Sequence, residues 1–224
     1  MLSYQFGIEE VTTKLEILGK EFEHSHASNP IQHLASRLKS PQSVLDKAES
    51  LACEPTLDAI RAAITDIAGV RVICSFVSDV YRVQDLLCGQ KDLRVIKVKD
   101  YIAHPKPNGY RSLHALVEVP VFLSDGVVDV PVEVQFRTIA MDFWASLEHK
   151  IYYKHDRDVP ATLLAELGDA ASTAARLDVE MERLHDEIRG PHVYGANTYG
   201  ANVVPSGEVR DETILAFLRK VLGP

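Results

Sequence analysis

The chain has 224 residues, 46% of them hydrophobic and 25% charged, a composition typical of a globular domain with a substantial core, which excludes a disordered chain. The formal net charge of −8 argues against broad nonspecific nucleic-acid binding, because that mode needs a strongly positive surface. No apolar run approaches the ~18 residues of a spanning helix and no secretory leader opens the chain, so we expect a cytoplasmic protein.

The first part of the chain is predicted to be mostly helical. Apolar residues at helical spacing predict a helix over about 9–23, and the pair Ser40-Pro41 marks the start of a second helix. The segment just before that start is interpreted as a basic loop. A short third helix is predicted across TLDAIRAAIT, directly before the segment DIAGVRVICSF.

The middle of the chain is predicted to form a sheet. DIAGVRVICSF is apolar on both faces, as in a central strand, and a helix from about Ser78 to Leu87 follows it. Further strands are predicted at LRVIKVKDY, SLHALVEVPVFL and DVPVEVQFR. After Thr138 the helical spacing returns, and helices are predicted at TIAMDFWASLEHKIYYKH, over about 161–189 and at VRDETILAFLRKVL.

This order of elements predicts an α+β fold, with a mixed β-sheet of about five strands flanked by helices and with helical additions at both termini. We expect a single domain over 1–224, with its catalytic core over about 31–155 and a helical C-terminal region over about 160–224. The repeated YGAN near the C-terminus is interpreted as a loop. Phe143 and Trp144 are predicted to be core residues of the helix that follows Thr138.

Two carboxylates stand out in the predicted sheet. Strand alternation in DVPVEVQFR places Glu133, Gln135 and Arg137 on the face opposite the valines. Asp66 stands at the head of the strand DIAGVRVICSF. Phosphoryl and pyrophosphoryl transfer needs carboxylates to hold Mg²⁺ and cations to neutralise phosphate charge, so this pair predicts a phosphate-handling site if basic residues lie close by.

Two basic clusters fit that requirement. The first lies in SRLKSPQSVLDK and contains Arg37, Lys39 and Lys47. The second, KVKDYIAHPKPNGYRSLH, surrounds a Pro-Asn-Gly turn and contains the basic residues Lys97, Lys99, His104, Lys106, Arg111 and His114. Tyr110 follows that turn, where its ring is suited either to stacking on a purine or to packing in an ordinary basic hairpin.

The order of these pieces is more informative than any one of them. RLKS, DIAGVR, HPKPNGYRSLH, EVQFRT and MDFWASLEHK follow one another between about Arg37 and Lys154. This series closely resembles the synthetase domain of the RelA/SpoT homologue family, and the chain is similar in length to a small alarmone synthetase. The resemblance implies a nucleotidyltransferase-like sheet that transfers the β,γ-pyrophosphate of ATP to the 3′-hydroxyl of GTP or GDP and releases AMP.

The resemblance also implies roles for individual residues. Asp66 and Glu133 match the catalytic Mg²⁺ ligands, and Glu133 matches the general base for the acceptor hydroxyl. The residues that match the ATP site are Arg37 and Arg71 around adenine, with Lys39 and Lys47 on the phosphates. The residues that match the GTP/GDP site are Tyr110 on guanine, Lys99, Lys106 and His114 on the phosphates, Gln135 beside the metal ligand, and Asp142, where related synthetases can carry Asn.

Small synthetases of this kind imply further partners. We expect a symmetric homo-oligomer, a tetramer built through the terminal helices. Regulation by RNA or by an alarmone is compatible with the resemblance. Because the matching blocks begin at Arg37, no hydrolase domain is expected ahead of the synthetase. Glu148 and His149 are further candidates for reaching the nucleotide site.

Three alternatives remain open at this point. A metal-dependent phosphohydrolase is suggested by His24 and His26 and by the dyads His155-Asp156 and His185-Asp186, although the dyads are otherwise interpreted as surface polar groups. A catalytically silent nucleotide-binding or RNA-binding regulator would have no need of both Asp66 and Glu133. The same chemistry on an adenine nucleotide or a tRNA end is compatible with a stacking tyrosine, which accepts any purine.

Overall fold

A five-stranded mixed sheet forms the centre of the computed structural model, which describes residues 1–25, 28–154 and 160–189. The strands are β1 (Ile31–Leu38), β2 (Ala68–Cys74), β3 (Arg94–Asp100), β4 (Leu113–Leu123) and β5 (Gly126–Thr138). The helices are α1 (Leu2–Ser25), α2 (Pro41–Ser50), α3 (Leu57–Ala63), α4 (Val77–Cys88), α5 (Ile139–Lys154) and α6 (Ala161–Arg189). None of the helices within these ranges has the length and apolar character needed to cross a membrane.

The strand order β1-β2-β5-β4-β3 confirms the predicted mixed sheet. β2 and β5 run parallel, and the other neighbouring strands run antiparallel. The parallel register sets Gly69 beside Glu133 and Arg71 beside Gln135. Residues at the start of β2 therefore lie next to the polar positions of β5, although more than sixty residues of chain separate them.

The two faces of the sheet differ in what covers them. α1 packs against four of the strands and α4 against three. The covered face carries the buried side chains of the two long strands, including Val117, Val130, Val132, Val134 and Phe136. A Cβ atom at Gly7 would lie 2.6 Å from Val130 Cγ1, so this glycine lets α1 approach β5 closely. The polar residues of β5 are left on the other face, as the alternation predicted.

Three local predictions need correction. The segment Ile31–Leu38 is strand β1, not a basic loop; it pairs with one neighbour only, and its burial does not alternate along the strand. α1 begins at Leu2, seven residues earlier than predicted. Trp144 is buried as predicted, but Phe143 is 66% exposed because it lies on the outer side of α5. The YGAN repeat and the predicted last helix lie outside the described residues.

α6 is attached to the end of the sheet through a buried carboxyl group. Thr138 Oγ1 donates to Asp178 Oδ2 at 2.8 Å and accepts from the Met141 backbone N–H at 3.1 Å at the start of α5. Burial raises the pKa of Asp178 to about 6; the Thr138 hydrogen bond lowers it and the nearby charge of Glu182 raises it. The ionised form of Asp178 is therefore disfavoured in the folded protein.

This buried acid gives a pH-dependent stability. The folded protein holds the Asp178 proton to about pH 6, while an unfolded aspartic acid releases it near pH ~3.9, so the free energy of unfolding falls as pH rises through that window. Asp178→Asn should raise the thermal midpoint at pH ~7.5 by about 2–4 °C, corresponding to ~1 kcal/mol after allowance for solvent screening, and should leave it unchanged at pH ~3.5, below both pKa values. Calorimetry at both pH values, with the exposed Asp169→Asn on the same helix as control, measures this. Equal midpoints at pH ~7.5 would contradict it.

Candidate active site

A cavity of about 260 Å³ opens on the polar face of the sheet, between β1, β2 and β5. Its lining includes six of the predicted site residues: Arg37, Lys39, Asp66, Arg71, Glu133 and Gln135. β1 supplies Arg37 opposite Gly69 of β2, and the absence of a side chain at Gly69 leaves the floor of the cavity open. The missed strand β1 is thus one wall of the candidate site.

Asp66 is held by two lysines. Lys39 Nζ donates to Oδ2 at 2.7 Å, and Lys47 Nζ donates to both carboxylate oxygens at 2.8 Å. The Ser40 side chain caps α2 by accepting from the Ser43 N–H at 3.2 Å, which fixes the helix that carries Lys47. Burial raises the pKa of Asp66, but the hydrogen bonds and charges of the two lysines outweigh it, so the pKa is lowered. Asp66 is ionised at neutral pH.

Glu133 is held through both of its carboxylate oxygens. Gln135 Nε2 donates to Oε2 at 2.7 Å, and His114 Nδ1 lies 3.3 Å from Oε1. Burial raises the pKa of Glu133 and the negative charge of Asp66 adds to that effect, but the hydrogen bonds from His114 and Gln135 outweigh them and the pKa is lowered. The site therefore carries two ionised carboxylates that repel each other across one cavity.

These two carboxylates suit a divalent cation. Among the described residues, no group of three or more His, Cys, Asp or Glu side chains is arranged around a common metal position. Mg²⁺ in nucleotide sites is usually held by one or two carboxylates, with substrate phosphates and waters completing its shell. A pair of facing carboxylates with cationic neighbours fits that mode, since a bound cation would relieve their mutual repulsion.

The Pro-Asn-Gly turn presents Tyr110 beside the site. Gly109 has φ +87°, and its N–H donates to the Lys106 carbonyl at 2.8 Å. The Asn108 side chain accepts from the Tyr110 N–H at 3.2 Å and donates to Glu148 at 3.1 Å. Glu148, a candidate from the sequence, thus braces this turn from α5.

α6 supports the same turn from behind. A Cβ atom at Gly109 would lie 2.5 Å from the Ala171 Cβ, so only glycine fits between the turn and the helix. Tyr110 also packs against a small cluster that contains Trp144 and Ala171, and Trp144 Nε1 donates to the Leu167 carbonyl at 3.0 Å. The position of Tyr110 therefore depends on both C-terminal helices.

Lys106 lies over the ring of Tyr110, the residue that the family resemblance matches to guanine. Its Nζ is 4.5 Å from the Tyr110 ring centroid and 4.7 Å from that of Tyr101. A cation at that distance is attracted by the negative ring face. On β3, Lys99 lies opposite His114 in the register of the sheet, which brings it to the same side of the site as the predicted acceptor residues.

Asp142 lies between two arginines. Its Oδ1 accepts from Arg71 Nη1 at 3.1 Å and from Arg137 Nη1 at 2.9 Å. The carboxylate joins the predicted ATP side of the site to the predicted acceptor side. A role in contacting guanine remains a prediction.

Arg137 was not among the predicted site residues, yet it is the most connected side chain of the site. It is 5% exposed and reaches Tyr110, Gln135, Asp142 and Ser112. The signal was present in the sequence, because Arg137 shares the polar face of β5 with Glu133 and Gln135. Three of its four partners lie outside β5, Tyr110 and Ser112 in the segment before β4 and Asp142 in α5, and the sequence order alone did not bring them together.

The His-Asp dyads give no support to a hydrolase within the described residues. His185 packs its ring against Phe76 at 4.5 Å between centroids, at the start of α4. Its Nδ1 is 3.6 Å from the Asp186 carboxylate next to it in the chain. The other dyad, His155-Asp156, and His26 lie outside the described ranges.

Comparison with known proteins identifies the family. The family described as "Region found in RelA / SpoT proteins" matches residues 36–158. GTP pyrophosphokinase YwaC from Bacillus subtilis (strain 168) is 50% identical over 188 residues, covering 84% of this chain and 90% of that protein. The chain belongs to the RelA/SpoT family. Another relative from the same organism, GTP pyrophosphokinase YjbM, is 36% identical over 189 residues, covering 84% of this chain and 88% of that protein.

Solved structures of RelA/SpoT proteins have the same fold. Small alarmone synthetase 2 from Bacillus subtilis superposes with a TM-score of 0.75 at 50% identity, covering 83% of this chain and 97% of that one. Small alarmone synthetase 1 from the same organism, bound to its product pppGpp, gives 0.77 at 37% identity over 83% and 94% of the two chains. The predicted α+β, nucleotidyltransferase-like fold is confirmed, and the family resemblance seen in the sequence is correct.

Proposed function

We propose that this RelA/SpoT protein is a GTP/GDP pyrophosphokinase that uses Mg²⁺ and makes the alarmone (p)ppGpp and AMP. The observation that carries the proposal is the pairing of Asp66 and Glu133, both ionised, in one cavity lined by the cations Arg37, Lys39 and Arg71. The substrates ATP and GTP or GDP are cytoplasmic metabolites, and the reaction is assigned to the cytoplasm on that ground.

The ATP half of the site is built by β1, α2 and β2. Arg37 and Arg71 come from adjacent antiparallel strands, and their planar guanidinium groups suit the two faces of adenine. Lys39 and Lys47 converge on Asp66 and are placed to transfer their hydrogen bonds to phosphate oxygens. The cations would neutralise the charge that develops on the α-phosphate of the leaving AMP.

The acceptor half is built by β3, β4 and the turn that precedes β4. Tyr110 offers its ring to guanine once Lys106 moves to the phosphates, and Lys99 and His114 stand on the same side. Gln135 holds Glu133 in place. Bound Mg²⁺ would supply charge neutralisation for the transferred phosphates.

In the proposed reaction, Glu133 takes the proton of the acceptor 3′-hydroxyl. The 3′-oxygen forms a bond to the β-phosphorus of ATP as the bond from that phosphorus to the α,β-bridging oxygen breaks. AMP leaves with the electron pair of that bond, and the β,γ-pyrophosphate remains on the acceptor. In-line geometry is needed, and the cavity between Asp66 and Glu133 is where the two substrates would meet.

Product identification tests the function directly. The purified protein is incubated with Mg²⁺, ATP labelled in the γ-phosphate and, separately, GDP, GTP, ADP or tRNA. We expect the label on a guanine nucleotide, with AMP released, and no transfer to a 3′-deoxy guanine nucleotide that still binds. Label on adenine or tRNA in preference to guanine would overturn the acceptor assignment. No transfer to any acceptor would instead favour a silent regulator.

Substitution of Tyr110 tests the acceptor base. Tyr110→Ala should weaken guanine nucleotide binding by about 1–3 kcal/mol, the usual range for a stacking platform, while binding of a non-hydrolysable ATP analogue changes little. Tyr110→Phe keeps the ring and should keep most of the affinity. Titration calorimetry with each nucleotide measures both. An equal loss for both nucleotides in Tyr110→Ala would mean that the ring only packs against α6.

A homo-oligomer, with a tetramer as the expected size, is part of the proposal. α6 exposes an apolar stripe at helical spacing, formed by Leu177, Met181, Leu184 and Ile188 at 53%, 48%, 37% and 81% exposure. A second copy of the chain is the proposed cover for this stripe, in a symmetric interface. Regulation by RNA or by an alarmone is proposed to act on that assembly.

Light scattering tests the assembly. The wild-type protein should be oligomeric at micromolar concentration, and Met181→Glu combined with Leu184→Glu should shift it to smaller species because two charges would be buried without partners. Val179→Glu is the matched control, since Val179 is 67% exposed on the other flank of α6. A wild-type monomer, or an unchanged mass in the double variant, would refute the stripe as an interface.

A further inference from the structure

Arg137 donates four hydrogen bonds to described residues of the protein. Its Nη1 donates to Asp142 at 2.9 Å, and its Nη2 donates to the Tyr110 hydroxyl at 2.7 Å and to Gln135 Oε1 at 3.0 Å. Its Nε lies 3.4 Å from Ser112 Oγ, which itself donates to the Phe136 carbonyl at 3.1 Å. A side chain that is 5% exposed and bonded in this way is placed to act on its neighbours, not on a nucleotide.

The chemistry of arginine fixes the direction of these hydrogen bonds. A guanidinium group has donors only and stays charged, so each atom that it contacts must accept. The Gln135 oxygen must therefore face Arg137, which leaves the Gln135 amide N–H₂ to donate to Glu133 at 2.7 Å. The amide orientation of Gln135 follows from its arginine neighbour.

The same argument sets the proton positions along a second chain of hydrogen bonds, which leads from Arg137 through Tyr110 and His114 to Glu133. The Tyr110 oxygen accepts from Arg137, so the single hydroxyl proton of Tyr110 is free to point at His114 Nε2, 2.8 Å away. The neutral imidazole of His114 then accepts at Nε2 and carries its proton on Nδ1. That proton lies on the side of Glu133 Oε1, at 3.3 Å between the heavy atoms.

Both chains of hydrogen bonds, the one through Gln135 and the one through Tyr110 and His114, end on the Glu133 carboxylate, one on each oxygen. We propose that Arg137 is a positioning residue that holds in place both groups that donate to Glu133, Gln135 directly and His114 through the Tyr110 hydroxyl. Without Arg137, the Gln135 oxygen and the Tyr110 hydroxyl lose the donor that anchors them. The ionised Glu133 still accepts from Gln135 and His114, because a carboxylate has no proton to donate, but neither donor is then held in place and Glu133 is free to move. The proposal rests on the general-base role of Glu133 in the proposed function.

Asp142 completes the arrangement from the other side. It shares one carboxylate oxygen between Arg137 and Arg71, so the buried charge of Arg137 is paired. This ion pair orients the guanidinium plane so that Nη2 faces Tyr110 and Gln135. Lysine in place of Arg137 would keep the charge but has one nitrogen, which cannot reach three partners in the fixed geometry of a guanidinium fork.

The tautomer of His114 tests the proposal without any enzyme assay. Nitrogen NMR of protein labelled in the histidine rings is recorded at about pH 8.5, above the usual pKa range of histidine, and His114→Asn identifies the His114 signals. We expect the wild-type protein to carry the proton on Nδ1. Arg137→Met, or Tyr110→Phe if that variant does not fold, should keep the proton on Nδ1, because the ionised Glu133 can only accept, but should make that proton exchange with water at least about 10-fold faster, because His114 is held less firmly. A proton on Nε2 in the wild type, or an unchanged exchange rate in both variants, would overturn the proposal.

Kinetics separate positioning from substrate contact. Arg137→Lys and Tyr110→Phe should each lower the single-turnover rate constant about 10- to 100-fold, the range usual for outer partners of a catalytic group, while the acceptor dissociation constant changes much less. Arg82→Met is the matched control, since Arg82 is a partly buried arginine that packs on Phe22 in the covered layer. Loss of acceptor affinity in proportion to rate would contradict positioning. If the wild type transfers no pyrophosphate, the proposed function fails while the tautomer result still stands by itself.

Discussion

Glu133→Gln is expected to reduce pyrophosphate transfer by about 10²–10⁴-fold, because an amide cannot take the proton of the acceptor hydroxyl. The substitution preserves size. It also disturbs the local hydrogen bonds, since the amide would present one N–H₂ group to either Gln135 or His114, both of which donate to Glu133 in the structure. Single-turnover conversion of labelled ATP with GDP in excess measures the loss.

Glu118→Gln is the matched control for that experiment. Glu118 lies on β4 and is ion-paired with Arg94 of β3, outside the cavity that contains Glu133. Its variant should react at close to the wild-type rate. Residual transfer above ~10% in Glu133→Gln would remove Glu133 from the general-base role, given the losses usual for such a group.

Asp66→Asn should reduce pyrophosphate transfer by a similar factor, at least about 10²-fold. In the absence of metal, however, the same substitution should not weaken the binding of ATP. The structure pairs Asp66 with Lys39 and Lys47, the two cations proposed to grip the ATP phosphates. In the metal-free protein, ATP must compete with this carboxylate for both ammonium groups. A neutral Asn releases them, so metal-free ATP should bind as well as in the wild type or more tightly.

Titration calorimetry in the presence of EDTA measures that affinity, and Asp46→Asn on α2 is the control. Asp46 is exposed and accepts from Gln42 four residues earlier in the same helix that carries Lys47. Weaker metal-free ATP binding in Asp66→Asn, with an intact fold by circular dichroism, would contradict the exchange of lysines from carboxylate to phosphate.

The parts of the fold that the sequence predicted are those with strong periodicity. β4 and β5 alternate between buried and half-exposed residues along much of their length, and α6 matches the predicted range of about 161–189. β1 was missed because an edge strand with one neighbour has no need of alternating apolar residues, and IQHLASRL has none. Phe143 was misjudged because a single aromatic residue in a helix does not reveal which side faces the sheet.

The residues of the candidate site also fall into those that the sequence predicted and those that it did not. Residues that match a motif, such as Asp66 and Glu133, were located from their strands and line one cavity. Arg137 and the position of Asp142 between two arginines were not foreseen, because the contact of Arg137 with Tyr110 and that of Asp142 with Arg71 join segments far apart in sequence. Burial of a charge is a tertiary property, and the local pattern on β5 alone indicated only a polar face.

The parallel pairing of β2 with β5 has a consequence for the order in which the protein folds. β4 and β5 form a hairpin closed by a short turn, and His114, Glu133, Gln135 and Arg137 all belong to it. Pairing β2 requires closure of a far longer loop, since Gly69 meets Glu133. Loop closure over a longer stretch costs more chain entropy and is slower. The acceptor half of the site is therefore expected to be assembled early on a local hairpin, and the ATP half only when β2 completes the sheet.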